Sequence, residues 1–533
     1  MNLSDKKKHY KAEIEKIASS VYNGEQKQLA CYILDNANAD NIDSIYTFIT
    51  QRVKLGFTFD AAPEVNHNCI SLVRHNPKLT FGNIGGEHKL IIGENYDALK
   101  NLLVTYTKDG KGLIDVIYID PPYNTEAAKG EGNNYKDDVE AKKFIYRDKF
   151  TRNGWLNMMR ERLVMARKLL SDTGVIFVSI DDTEQAYLKV LMDEIFGDNM
   201  VDVMVWRKSG VGRDGKMKNT TTFRKDHEYV LVAWKKTVGL SKSLEIPNFQ
   251  NEYKNIDNDP RGAYKAGSIS RKEEASNPNS PNYYTVTSPA GKKFTRQFDI
   301  SEDEFIKLDK DGRIFWGKDN TSVPAIKIFL NEPRYVTTSS IIDYSNMTTT
   351  FGSKELDSIL NEEHIGDQIR PKPSPLIKKL LQISSQKESI VLDFFAGSGT
   401  TGQAVMELNA DDGGNRKCIL VTNNENNIAT DITYERLYRL VNGKGTKGEK
   451  FPWTYKPEQP YLTNNRWEVF ELEQTELKID DFDKAKELLA IAEKEFKLLN
   501  PNYDMKGLDI YNQLASLNPY KATDTDKKND KCN

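Results

Sequence analysis

The sequence predicts an α/β protein: a largely parallel sheet covered by helices, interrupted by a β-rich insertion and extended by helices at both ends. Three observations carry this. Apolar runs such as DVIYID and VIFVSI lack the alternation of a half-exposed strand and read as strands buried on both faces. Amphipathic stretches of helical length separate them, as in a sheet built from βα units. Between residues 236 and 360 this regularity gives way to prolines, asparagines and short alternating runs, then returns near residue 370.

In chain order, EIEKIASSVY and SIYTFITQRV carry apolar residues at helix spacing, so residues 1–80 form a helical N-terminal extension whose pattern loosens around Phe57–Pro63. KLII is a strand, Gly93–Asn95 a turn, and Tyr96–Tyr106 a helix. DVIYID (115–120) is a buried strand followed by a polar loop, NTEAAKGEGNNYKDD. Leu156, Met159, Leu163, Ala166 and Leu170 make one stripe of a helix, which Gly174 ends. VIFVSI (175–180) follows, then a helix to Phe196 with Asp182 and Gln185 as its capping box. VDVMVW (201–206) and YVLVAW (229–234) complete a first half of the sheet domain, residues 81–235, in parallel βα style.

Residues 236–365 form a separate module in which NYYTVTSP and KKFTRQFDI are antiparallel strands. The second half of the sheet domain, 366–445, opens on RPKPSPLIKKLLQIS, with Ser374 as N-cap and Pro375 at the first helical position. SIVLDFFAGSGTTGQAVMEL is strand, glycine turn and helix; KCILVTNNE is the next strand and ITYERLYRLV a helix. Residues 446–533 read as a charged helical extension ending in a polar tail.

The totals exclude several classes. A net charge of -3 is not that of a protein that coats nucleic acid with a basic surface, so any such contact is local. WRKSGVGRDGKMKNTTTFRK (206–225), with seven Lys/Arg and one acid, is the candidate, alternatively a plain solvated loop. Arg147 and Lys149 close a second loop that could fold over a ligand. The four cysteines and six histidines share no metal or redox spacing. The N-terminus has no apolar core, and no run approaches a membrane span, so a soluble cytoplasmic protein is expected.

Two motifs carry chemistry. In FAGSGTTG, Gly397, Gly399 and Gly402 fit G-x-G-x-x-G between a strand and a helix, where a backbone without Cβ atoms approaches a ligand closely. The pattern serves dinucleotides, resembles the first motif of S-adenosylmethionine (SAM) methyltransferases, and also suits helix–strand packing alone. Asp393 inside the strand end, and the wording F-A-G-S-G-T-T, favour the methyltransferase reading. Glu425, at the end of the next strand, stands where a ribose-binding acid belongs.

The second motif is D-P-P-Y, Asp120–Tyr123, closing a buried strand at the end where such sheets bind ligands. The exocyclic amine of adenine or cytosine is a poor nucleophile, because its lone pair is delocalised into the ring. Acceptors on its two hydrogens would free that pair. The Asp120 carboxylate and the Pro121 carbonyl are such acceptors, Pro121 and Pro122 fix φ, and Tyr123 offers a face to an extruded base. A buried aspartate capping a proline turn is the plainer alternative. Trp155 is expected in the core.

These motifs, with IIGENYDALKNL, LMDEIFGDNMV, DHEYVLVAWK and DITYERLYRLV, make the chain resemble the β-class DNA amino-methyltransferases, and within them the modification (Mod) subunits of type III restriction–modification systems. The resemblance spans roughly 85–235 and 365–445. It implies a Rossmann-like SAM-dependent methyltransferase sheet in circularly permuted motif order, with residues 236–365 as target recognition domain. It implies that Asp120, Pro121, Pro122 and Tyr123 are catalytic, with N6 of adenine as target. Asp393, Phe395, Ala396, Gly397, Ser398 and Gly399 would hold SAM, Glu425 its ribose or adenine edge, and Lys372–Pro373 its methionine side. Duplex DNA, a homodimer and an ATP-dependent restriction subunit are the implied partners, and no metal is implied. N4 of cytosine, and less so RNA or a protein glutamine, are alternative targets. A dinucleotide-dependent oxidoreductase leaves D-P-P-Y unexplained, and intact motifs argue against a non-catalytic specificity subunit.

Overall fold

The apolar runs of the sequence form the middle of one twelve-stranded sheet. The computed structural model describes residues 3–16, 24–50, 65–83, 85–123, 152–209, 223, 225–236, 240, 243–245, 253–332, 334–476, 482–503, 510 and 514–517. The loop after Tyr123 with Arg147 and Lys149, most of the basic stretch 206–225, the Phe57–Pro63 segment and the polar tail lie outside the described residues. The chain divides into Met1–Ala61 and Ala62–Asn533.

The first unit holds helices α1 (Leu3–Glu15), α2 (Gly24–Asp35) and α3 (Ile42–Thr50). Ile14, Leu34, Ile42 and Ile49 are buried among them. The Tyr10 ring stacks on Tyr46 with centroids 3.9 Å apart, and its hydroxyl donates to Asp43.

The strands of the large sheet are β1 (Val65–His75), β2 (Phe81–Gly82), β3 (Gly86–Ile92), β4 (Ile114–Ile119), β5 (Leu170–Ile180), β6 (Val201–Arg207), β7 (His227–Trp234), β8 (Ile341–Ile342), β9 (Ile390–Asp393), β10 (Lys417–Thr422), β11 (Asn465–Glu476) and β12 (Ala515–Leu517). Their order is β8-β6-β7-β5-β4-β9-β10-β3-β11-β1-β12, with β2 against β11. From β5 to β11 all neighbours run parallel. Helices α4 (Asn95–Thr105), α5 (Arg152–Leu169), α6 (Gln185–Phe196), α10 (Ser374–Ser384), α11 (Thr400–Asp412) and α12 (Glu435–Asn442) cover it. Leu90, Val116, Tyr118, Phe177, Val391, Leu420, Trp467 and their neighbours form one continuous core. No helix among the described residues is long and apolar enough to cross a membrane.

Several sequence expectations are corrected. The N-terminal extension does not reach residue 80, because β1 belongs to the large sheet. Residues 465–476 form a long strand where the charged run EVFELEQTE reads as helix. Trp467, Val469 and Phe470 are fully buried, and pairing on both edges, to β3 and β1, outweighs the helix-forming glutamates. After this strand the extension is helical as expected, in α13 (Phe482–Leu499). The β5–β7 and β6–β7 pairs are antiparallel, so β7 runs against the direction of its neighbours and the sheet is mixed at this edge. The Asp182–Gln185 capping box does not form: Glu184 is the cap residue, and its side chain does not cap the helix end. At α10 the cap residue is Pro373, with Ser374 and Pro375 already helical. Helix α5 ends at Leu169, ahead of Gly174, which lies within β5.

The insertion contains the expected hairpin, Tyr283–Thr287 with Lys293–Gln297. It also holds a three-stranded sheet of Tyr264–Ser268, Ala325–Phe329 and Ile314–Phe315, and helix α7 (Glu302–Lys310). Tyr284, Phe294, Phe298, Phe305 and Trp316 give it a core of its own. The large sheet resumes at Ile341, where β8 pairs with β6, ahead of the expected boundary at 365. Helices α8 (Thr349–Leu360) and α9 (Ile365–Ile369) follow.

Candidate active site

Parallel strands present their carboxyl ends on one rim, where ligands bind in such sheets. Strand β4 ends on the Asp120–Tyr123 turn and β9 on the glycine turn, and the two strands are direct neighbours. Val116 faces Val391 and Ile117 faces Leu392, so continuing the register sets Asp120 level with Phe395. The two motifs, far apart in the chain, meet here. Asp120 is close enough to Asp393 to disfavour the latter's ionisation, and both carboxylates act on the Tyr118 phenol between them.

Asp120 is engaged on both oxygens. The Tyr123 hydroxyl donates to Oδ1 at 2.8 Å, while Lys372 Nζ lies 2.9 Å from Oδ1 and 3.0 Å from Oδ2. Lys372 also lies 4.8 Å from the Tyr123 ring centroid and 5.8 Å from that of Trp206. Lys372 therefore faces the Asp120–Tyr123 turn. Its burial disfavours the charged form, but Asp120 and Glu228 outweigh this and raise its pKa. Burial, then the same two carboxylates, pushes the Tyr123 phenol well above its ordinary range. Trp155 on α5 is buried as expected, and its Nε1 donates to the Pro122 carbonyl at 2.6 Å, which pins the double-proline turn.

At the glycine turn, Asp393 Oδ1 accepts the Phe395 N–H at 3.0 Å and Oδ2 accepts the Thr401 hydroxyl at 2.5 Å. The carboxylate thus braces both ends of the glycine turn. Burial raises its pKa to about 7. Gly397 sits at φ 48°, and a Cβ there would meet nothing nearer than the Phe395 carbonyl at 3.9 Å. Gly399, at φ 78°, starts α11. An open backbone beside a buried acid at a helix start fits a compact charged cofactor such as SAM. Phe395 is half-buried, whereas Ala396 and Ser398 are buried. Pro373 is buried and leads into α10. Glu425 begins a short turn, Glu425–Asn427, beyond the carboxyl end of β10, on the same rim.

Other residues complete the site without a motif to announce them. Glu228 enters because β7 is antiparallel, which brings its amino end to the rim. Asn95 donates to the Phe394 carbonyl at 2.9 Å and accepts from Arg162, which also pairs with Glu94 at 2.6 Å. Buried Arg436 donates to the hydroxyls of Ser398 and Thr400 and to Glu355, and Glu355 accepts from the Ser374 hydroxyl. That network ties the glycine turn to the segment carrying Lys372. A charged residue inside an apolar run, as in HEYVLVAW, is the sequence signal that could have marked Glu228.

A Rossmann-like sheet with an acidic double-proline turn facing a glycine turn defines an amino-methyltransferase class of site. Residues 114–438, 325 of the 533, match the profile of the N6/N4 DNA methylase family, and the chain belongs to that family. A second profile, of an uncharacterised conserved protein, matches residues 7–111. The chain is 32% identical over 413 residues to the type III restriction-modification enzyme StyLTI Mod subunit of Salmonella typhimurium, covering 72% of this chain and 59% of that one. It is 30% identical over 376 residues to the type II methyltransferase M.KpnI of Klebsiella pneumoniae, covering 66% and 84%. The type III EcoPI Mod subunit of Escherichia phage P1 is 30% identical over 420 residues, covering 67% and 61%. The chain thus spans about three fifths of the length of the two Mod subunits.

Proposed function

We propose that the protein is a site-specific DNA methyltransferase that moves a methyl group from SAM to N6 of adenine in duplex DNA, as the modification subunit of a type III restriction–modification system. The observation that carries this reading is the meeting of the Asp120–Tyr123 turn and the glycine turn on adjacent parallel strands. Family membership supports the reaction, and the Mod-subunit relatives support the adenine target and the system. The motif order, catalytic turn first, supports a circularly permuted sheet, and the insertion with its separate core serves as target recognition domain.

Bound SAM supplies a methyl group on a sulfonium sulfur, which leaves as a neutral thioether. The chain's task is positioning. Asp393, Phe395, Ala396, Gly397, Ser398 and Gly399 hold the cofactor, Glu425 its ribose or adenine edge, and Lys372–Pro373 its methionine side. Asp120 and the Pro121 carbonyl accept the two hydrogens of the adenine amine and draw its nitrogen toward tetrahedral geometry. Lys372 covers one face of the Tyr123 ring, and the extruded base stacks on the other. As the N–CH3 bond forms, the nitrogen becomes cationic, and one of its protons passes to Asp120 and on to solvent. The functional unit is a homodimer that joins an ATP-dependent restriction subunit.

Labelled SAM with unmethylated genomic DNA, followed by nucleoside analysis, tests the reading. N6-methyladenine is expected. Asp120→Ala abolishes incorporation while SAM binding survives. N4-methylcytosine as sole product overturns the target, and no incorporation by the parent protein overturns the function.

A further inference from the structure

Glu228 stands one residue into β7, and its side chain is 9% exposed. It is surrounded by the groups of the catalytic turn. Its Oε1 lies 3.1 Å from Lys208 Nζ, and its Oε2 accepts the Tyr123 hydroxyl at 3.2 Å and lies 3.5 Å from Lys372 Nζ. Burial alone would raise its pKa, but Lys372 and Lys208 outweigh this and hold it below the usual range. Two carboxylates and two ammonium groups therefore alternate along one line: Lys208, Glu228, Lys372, Asp120.

Such a network is a poor stabilising device, because desolvation offsets most of the attraction and apolar replacements of like volume do as well. Its geometry serves the catalytic carboxylate instead. A carboxylate oxygen has two lone-pair directions. On Asp120, Oδ1 has two partners, Tyr123 and Lys372, while Oδ2 has Lys372. One acceptor direction on Oδ2 is left for a target amine. Both partners of Asp120 are also partners of Glu228. Without Glu228, each would turn fully to Asp120 and compete with the amine.

We propose that Glu228 is a positioning residue for methyl transfer: it shares Lys372 and Tyr123 with Asp120 and so keeps Oδ2 open to the amino group of the target base. This rests on the function proposed above. Glu228 touches no reacting atom; it acts through two side chains that flank them. Lys208, on its far side, fixes the opposite oxygen and sets the direction of the pull.

The test compares parent, Glu228→Gln and the charge-balanced double variant Glu228→Gln/Lys208→Met, each as the full chain. Single-turnover transfer from labelled SAM to unmethylated genomic DNA is measured beside the dissociation constants for SAM and for that DNA. Both variants are expected to transfer at least tenfold more slowly, with both dissociation constants within threefold of the parent. A merely structural role would move binding and rate together, and that result overturns the proposal. So does a transfer rate within threefold of the parent in either folded variant. If Glu228→Gln alone fails to fold, the double variant decides by the same criteria. A parent that transfers no methyl group overturns the proposed function and this proposal with it, whereas an active parent with an unimpaired variant overturns this one alone.

Discussion

Asp393→Asn should make the ligand-free protein more stable at alkaline pH and leave it nearly unchanged at pH 5. The Asp393 carboxyl is buried, and burial raises its pKa from the ordinary 3.8 to about 7. Below the lower value it is neutral in both folded and unfolded chains. Between the two, the unfolded chain releases its proton and the folded chain keeps it, so stability falls as pH rises. At about 1.4 kcal/mol per pH unit, the fall is about 4 kcal/mol by neutral pH and constant above it. Asparagine has nothing to ionise. It retains the Phe395 N–H bond through its carbonyl, and the Thr401 hydroxyl can turn to accept from its amide. Weaker hydrogen bonds cost about 1 kcal/mol. The variant therefore gains about 3 kcal/mol at pH 8. At pH 5 the aspartate's penalty is only about 1.6 kcal/mol, and the two effects nearly cancel. With an unfolding entropy of about 2 cal/mol/K per residue, the Ala62–Asn533 unit turns 3 kcal/mol into about 3 °C. Thermal unfolding followed by circular dichroism from pH 5 to 8.5, without cofactor, measures this. Parallel curves for parent and variant would refute a buried, proton-retaining Asp393.

Three further predictions follow from particular contacts. Gly397→Val forces a side chain into the left-handed region at φ 48°, at about 1–2 kcal/mol, and fills the space beside the glycine turn. Calorimetric titration should show SAM binding weakened more than tenfold while the melting temperature falls only a few degrees. Trp155→Phe removes the donor to the Pro122 carbonyl but keeps an aromatic ring, a smaller one, at the site. The loss of about 1 kcal/mol of turn rigidity should lower kcat about fivefold with little change in SAM affinity. His88 is buried, accepts the Cys418 N–H at Nδ1 and donates from Nε2 to Asn465, which admits only the neutral ring; burial lowers its pKa to about 4. Its stabilising contribution is complete above pH 6.5 and is lost as pH falls toward 4, about 3 kcal/mol in all. His88→Gln should flatten the acid limb of the stability profile.

The two turns of the candidate site were legible in the sequence because each is a short contiguous motif. D-P-P-Y and FAGSGTTG each follow an apolar run too continuous to be anything but an interior strand. A strand end, a fixed turn and a ligand edge are local facts, and local facts survive in one dimension. The long charged strand Asn465–Glu476 was misread for the complementary reason. Its composition favours a helix, and only neighbours on both edges make it a strand.

By itself, then, the sequence determined the two turns, the order of the core elements and the class of chemistry that a carboxylate, a stiffened carbonyl and an aromatic face can perform. Tertiary structure alone decided that these turns share a rim, because strand adjacency is set by packing across the whole sheet. It also decided the surroundings of Asp120: Lys372 arrives from 252 positions away, and Glu228 arrives through the reversed direction of β7. Electrostatic interactions depend on distance in space, and side chains that carry no motif reveal their partners only when the chain has closed around them.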